Sequence, residues 1–160
     1  MTKAYDRLEW PFLFAVLRKF GFSEVWLKFI QRMFTQCWFS VIFNGAVKGD
    51  FPSSRGLRQG DPLAPSLFIL AEEALSRGLF TLFHSYSIKA FATSGNGPII
   101  SHLLYADDTI IFTNGTKSSL NKLMTFLSSY EAASGQLINK EKSCYILSES
   151  DSRAETQAPL

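Results

Sequence analysis

Apolar residues recur at helical spacing at Leu8, Phe12, Leu13, Val16, Leu17 and Phe20, which predicts a first helix. Pro11 fits only its first turn, and Gly21 ends it. Ser23 is placed to cap a second helix whose buried stripe would be Val25, Trp26, Phe29, Ile30, Met33 and Phe34, with Lys28, Gln31 and Arg32 turned outward. Residues 37–43 are aromatic and β-branched and read as a strand. Asn44-Gly45 is a strong hairpin signal, and residues 46–51 would return beside it. A long helix is expected over residues 64–83 and a turn at Ser94-Gly95-Asn96-Gly97. A second hairpin follows, with Leu103, Leu104 and Tyr105 on one side, Ile110, Ile111 and Phe112 on the other, and Asp107-Asp108 as its turn. Thr116 or Ser118 can cap a helix that buries Leu120, Leu123, Met124, Leu127 and Tyr130 and closes at Gly135, ahead of a short strand at 144–147. Residues 148–160 turn polar and lose periodicity, as a disordered tail would. The pattern predicts an α+β fold of antiparallel strands backed by helices.

Composition narrows this picture only modestly. A chain of 160 residues, 46% of them hydrophobic and 15 of them Phe, suits one domain with a substantial core. Sixteen basic against 14 acidic residues leave a net charge of +2 and a pI near 8.6. Any nucleic-acid contact must therefore come from a local patch. Cys37 and Cys144 have no metal-ligand spacing, and a reduced pair is expected. Met1 opens no secretory signal, and uncharged runs such as 33–47 fall short of a membrane span. An intracellular protein, nuclear or cytoplasmic and neither secreted nor membrane-bound, is expected.

The chemistry concentrates in two stretches. Neighbouring carboxylates about 4 Å apart repel by roughly 4 kcal/mol at an effective dielectric of about 20 and by about 1 kcal/mol in water. Asp107-Asp108 is therefore either a wetted turn or a cation site. Mg²⁺ suits it, because that ion combines one or two carboxylates with water and substrate phosphates. Ahead of the long helix, the stretch from Ser53 to Phe68 packs Arg55, Gly56, Arg58, Gln59, Gly60 and two prolines. Glycines let backbone approach a ligand, and guanidinium forks suit phosphate, although a solvated Gly-Asp-Pro turn has the same composition. Lys140 and Lys142 near the end read, by themselves, as a solvated face.

In their order along the chain, these motifs resemble the palm of a reverse transcriptase of the LINE-like non-LTR retrotransposon type, over residues 1–147. Tyr105-Ala106-Asp107-Asp108 is similar to the family's catalytic hairpin. The resemblance implies that Asp107 and Asp108 bind Mg²⁺ and join a DNA primer to an incoming deoxynucleoside triphosphate along an RNA template. Arg55 to Pro65 looks like the loop and helix that touch template and nucleotide, which assigns Arg58, Gln59 and Gly60 to substrate binding. Ala64 departs from the family's frequent Ser. Gly135 to Lys142 is similar to the following motif, with Lys142 at the spacing of the lysine that reaches the departing pyrophosphate. Tyr5 matches the aromatic that crowds a ribose 2′-hydroxyl.

The family's first motif opens with a metal-binding aspartate five residues before that aromatic, a position one residue before Met1. Asp6 follows Tyr5 instead of preceding it and reads as a helix-start carboxylate. Two-metal transfer needs ions about 3.5–4 Å apart, clamped by carboxylates from two chain segments. The expectation is a palm-like antiparallel sheet incomplete at both ends, with little activity by itself. A non-catalytic nucleic-acid-binding remnant, or a relative of group II intron maturases, remains as an alternative.

Overall fold

A computed structural model of the chain describes residues 1, 3–85, 87–89 and 100–146, so the expected turn at Ser94-Gly97 and the expected tail at 148–160 lie outside it. The elements are helices α1 (Ala4–Arg7), α2 (Trp10–Lys19) and α3 (Glu24–Thr35), strands β1 (Trp38–Phe43) and β2 (Ala46–Pro52), and helix α4 (Ala64–His84). Strands β3 (His102–Tyr105) and β4 (Asp108–Ile111), helix α5 (Lys117–Ser134) and a 3₁₀ turn at Lys140–Lys142 complete them. Among the described residues the strands pair as two separate antiparallel two-stranded sheets, β1-β2 and β3-β4. The architecture is thus mixed helix and strand. The chain divides into two units, one of Tyr5–Ala74 with Ala133–Gly135 and one of Met1–Ala4 with Leu75–Ala132 and Gln136–Leu160.

In the Tyr5–Ala74 unit, the predicted first helix is interrupted at Leu8 and Glu9, giving α1 and α2, and Pro11 lies in the first turn of α2. The Ser23 hydroxyl accepts the Trp26 N–H at 3.4 Å and caps α3 as expected. The buried face of α3 keeps Ile30 and Phe34 of the expected stripe and adds Leu27, while Val25 is 81% and Phe29 60% exposed. Both faces have helical periodicity, and α3 meets α2 where the Phe34 and Phe14 rings lie 6.3 Å apart. Trp10 stacks on Phe34 at 5.7 Å.

The β1-β2 hairpin forms as predicted. Asn44 and Gly45 both adopt positive φ, 49° and 77°, the geometry of a two-residue turn whose twist matches the strands. Every residue of both strands is exposed. Across the ladder Ile42 pairs with Val47, and Ser40 Oγ donates to the Asp50 carboxylate at 2.6 Å.

In the other unit, Leu75, Leu79, Phe83, Ile88, Leu123 and Leu127 are buried. Gly78 brings α4 against α5, because a Cβ there would collide with the Phe126 ring. Thr116, one of the two expected caps, accepts the Ser119 N–H at 3.3 Å. Tyr130 donates to Gln136 Oε1 at 2.5 Å, fixing the chain past the end of α5. The expected strand at 144–147 is only an isolated bridge at Cys144 within the described residues.

Candidate active-site elements

The acidic hairpin departs by one residue from expectation. Tyr105 pairs with Asp108, so the two-residue turn is Ala106-Asp107 and Asp108 begins β4. Ala106 takes the left-handed φ of 52°, uncommon for a residue with a Cβ. The offset follows from the ladder. Pairing Tyr105 with Asp108 keeps Leu104 opposite Thr109 and His102 opposite Ile111 on the less exposed face, and leaves Leu103, Tyr105, Asp108 and Ile110 on the open one. At the base, His102 is fixed by two hydroxyls, Ser76 Oγ at 2.9 Å from Nε2 and Ser101 Oγ at 2.9 Å from Nδ1. At the tip, the Met1 amino group donates to the Asp107 carbonyl oxygen.

Both carboxylates are exposed, and among the described residues neither forms an ion pair or accepts a hydrogen bond. Two adjacent, unengaged carboxylates fit the protein share of one Mg²⁺ shell, the remainder being water and phosphate oxygens. Among the described residues no group of three or more His, Cys, Asp or Glu side chains is gathered around a common point.

Lys142 lies in the same unit and ends the 3₁₀ turn. Asn139 caps that turn, its Oδ1 accepting the Lys142 N–H at 3.3 Å, and the lysine side chain is exposed. Asn139 went unnoticed in the sequence, although an Asx residue three positions before a lysine-rich turn is a usable signal.

Tyr5, Arg58, Gln59 and Gly60 lie in the other unit, around the glycine-rich loop. The loop is pinned to the α1-α2 segment by three hydrogen bonds of 2.8 Å: Gly56 N–H to Leu8 O, Leu57 N–H to Tyr5 O, and Trp10 Nε1–H to Gly56 O. Gly56 has φ +81°, and a Cβ there would stand 2.7 Å from the Asp6 carbonyl oxygen. Only glycine allows this approach. Asp61 Oδ1 accepts the Leu63 N–H at 2.8 Å and sets the turn into α4. Tyr5 stacks on Phe68 of α4, with ring centroids 4.2 Å apart and planes within 10°. Phe68 had no signal beyond being an apolar helix residue. Asp6 sits in the first turn of α1, as expected, with its backbone against Gly56. Next to the loop is a cavity of about 470 Å³ whose walls include Trp10, Phe39, Arg55, Arg58 and Gln59.

The acidic hairpin lies in one unit, and the glycine-arginine loop leading into α4 lies in the other. The sequence profile of the family described as reverse transcriptase (RNA-dependent DNA polymerase) matches residues 1–157, and the chain belongs to that family. Its relatives place it among reverse transcriptase domains of non-LTR elements. It is 30% identical over 131 residues to a Pol polyprotein from a type-2 retrotransposable element of Drosophila melanogaster, covering 80% of this chain and 12% of the polyprotein. It is 26% identical over 143 residues to the corresponding type-1 element polyprotein of Popillia japonica, covering 89% and 22%. An uncharacterized mitochondrial protein of Arabidopsis thaliana is 48% identical over 75 residues, 46% of this chain and 62% of that protein. The chain thus spans less than two thirds of each of these relatives. No helix among the described residues is long and apolar enough to cross a membrane.

Proposed function

We propose that this chain is the palm portion of an RNA-directed DNA polymerase, in which Asp107 and Asp108 hold Mg²⁺ for transfer of a deoxynucleotide to a DNA primer. The observation that carries the reading is the hairpin: a two-residue turn that exposes two adjacent, unengaged carboxylates at its tip. When bound, the metal neutralises charge that develops on the transferred phosphoryl group. The chain's own groups supply the rest. Arg58, Gln59 and Gly60 position RNA template and nucleotide, and Tyr5, braced by Phe68, crowds the sugar 2′ position. Lys142, exposed on its capped turn, neutralises the departing pyrophosphate.

Two-metal transfer needs carboxylates from two segments, and Asp107 and Asp108 belong to one hairpin. On the same reading, the chain by itself extends no primer. The test is Mn²⁺ titration of the chain followed by NMR. Broadening should centre on residues 105–109 and should disappear in Asp107→Asn and Asp108→Asn, with melting temperatures unchanged because both side chains are exposed. Broadening centred elsewhere overturns the metal assignment. Templated primer extension by the chain in Mg²⁺, lost in Asp108→Asn, overturns the incompleteness.

A further inference from the structure

We propose that His102 is the positioning residue of the acidic hairpin: by tying β3 to Ser76 of α4, it sets the strand register that decides how Asp107 and Asp108 stand to one another. The proposal rests on the reading of that pair as a metal site, and adds to it the group that fixes its geometry. With Tyr105 opposite Asp108, Asp107 lies in the turn and Asp108 on a strand. Moving the turn by one residue would set Ala106 opposite Thr109 and leave both carboxylates in the turn. Residue type does not choose between the two arrangements. A turn moved by one residue slides the strands by two, so His102, Leu104, Thr109 and Ile111 keep a common face in either one. Nor does the sheet choose. Among the described residues β3 and β4 pair only with each other, and an isolated two-stranded ribbon is marginal in water.

The ties at the base do choose. The half-buried His102 ring lies between two hydroxyls, with Nε2 2.9 Å from Ser76 Oγ and Nδ1 2.9 Å from Ser101 Oγ. A hydroxyl both donates and accepts, so these contacts satisfy both ring nitrogens in either tautomer. Past the end of the other strand, Thr113 Oγ1 donates to the Lys89 carbonyl at 3.1 Å, and the Asn114 N–H donates to the same oxygen at 3.2 Å. Between these anchors the Phe112 N–H donates to the Ser101 carbonyl at 2.8 Å, one rung beyond the pairing of His102 with Ile111. A shift of two residues carries one strand about 7 Å along the other. The hydrogen bonds of both anchors do not survive that displacement together: either His102 leaves Ser76, or Thr113 and Asn114 leave Lys89. His102 is the anchor on β3 itself, and the tip inherits its register from it.

The test follows strand register and Mn²⁺ binding together, by NMR on the full chain. In the wild type, amide NOEs should connect Tyr105 with Asp108, and Mn²⁺ should broaden residues 105–109. Ser76→Ala and His102→Phe should each bring in a second set of resonances connecting Ala106 with Thr109. Each should also weaken Mn²⁺ binding about tenfold, as removal of a group that supports metal ligands does. The double variant should lose no more than the larger single loss, because the two residues act through one hydrogen bond. His102→Gln, which keeps a partner for the Ser76 hydroxyl, should restore most of both signals. Leu123→Ala, which empties a buried site in the same unit, should lower the melting temperature yet leave register and Mn²⁺ affinity at wild-type values, separating lost stability from lost position. One register and wild-type affinity in both Ser76→Ala and His102→Phe would overturn the proposal, as would additive losses in the double variant. If His102→Phe does not fold, Ser76→Ala decides by itself. Mn²⁺ broadening elsewhere in the wild type would remove the metal reading alone, since the NOEs report register without metal and still decide the role of His102.

Discussion

Two glycines separate conformational strain from close packing. Gly45 needs a positive φ but has open space around its missing side chain, whereas Gly56 needs a positive φ of 81° and also abuts the Asp6 carbonyl. Gly45→Ala should therefore cost about 1 kcal/mol, from the left-handed backbone alone. Gly56→Ala should cost more, about 2–4 kcal/mol, because backbone cannot yield as a flexible side chain can. Chemical denaturation of the two variants checks the order; equal losses would show that the loop moves away from α1 at little cost. The sequence marked Gly56 as a residue that allows close approach, but it suggested a ligand as the approaching group. The structure shows that the neighbour is the chain's own backbone at Asp6. The carboxylates Asp107 and Asp108 were legible as a pair. Their division between turn and strand was not, because a shift of one residue along a short hairpin leaves the local composition unchanged.

Among the elements, caps and turns read out well because their signals are local. Ser23, Thr116 and Asn44-Gly45 each act where expected. The inward face of α3 depended on which side met α2, which periodicity alone does not fix. The α2-α3 connection also has a pH signature. Arg18 donates to both oxygens of Glu24, at 2.6 and 3.2 Å, and this hydrogen bonding, with a smaller coulombic contribution, lowers the Glu24 pKa below the ordinary carboxylate value. A depressed carboxylate pKa contributes stability that is fully present above the unfolded-state value and is lost as pH falls through the folded-state value. Melting temperature should therefore fall on the acid side of the ordinary glutamate range, with a shallower slope there in Glu24→Gln. The difference should shrink in high salt, since both groups are solvent-exposed. A difference that appears only at neutral or alkaline pH would contradict this assignment.

For the molecule as a whole, the β1-β2 hairpin is the dominant liability. Val41, Ile42, Phe43 and Val47 are each more than half exposed, and apolar surface of this extent on a two-stranded ribbon invites edge pairing and association. Ile42→Lys with Val47→Glu places opposite charges at directly paired positions that are 73% and 68% exposed. The double variant should reduce light scattering at high protein concentration and leave the melting temperature within about 0.5 kcal/mol equivalent of wild type. A large stability loss would show that these side chains are covered in solution.

Spacing and residue type by themselves determined α3, α4 and α5, the places of both hairpins and the motifs that place the chain in its family, because propensity, capping and turn geometry act over a few residues. Tertiary contacts decided the rest. The inner face of α3 was chosen by α2, the tyrosine at position 5 was braced by Phe68, and the arginine loop was closed onto α1 by backbone hydrogen bonds. Each of these joins residues distant in sequence, and no local pattern encodes which partner a side chain will meet.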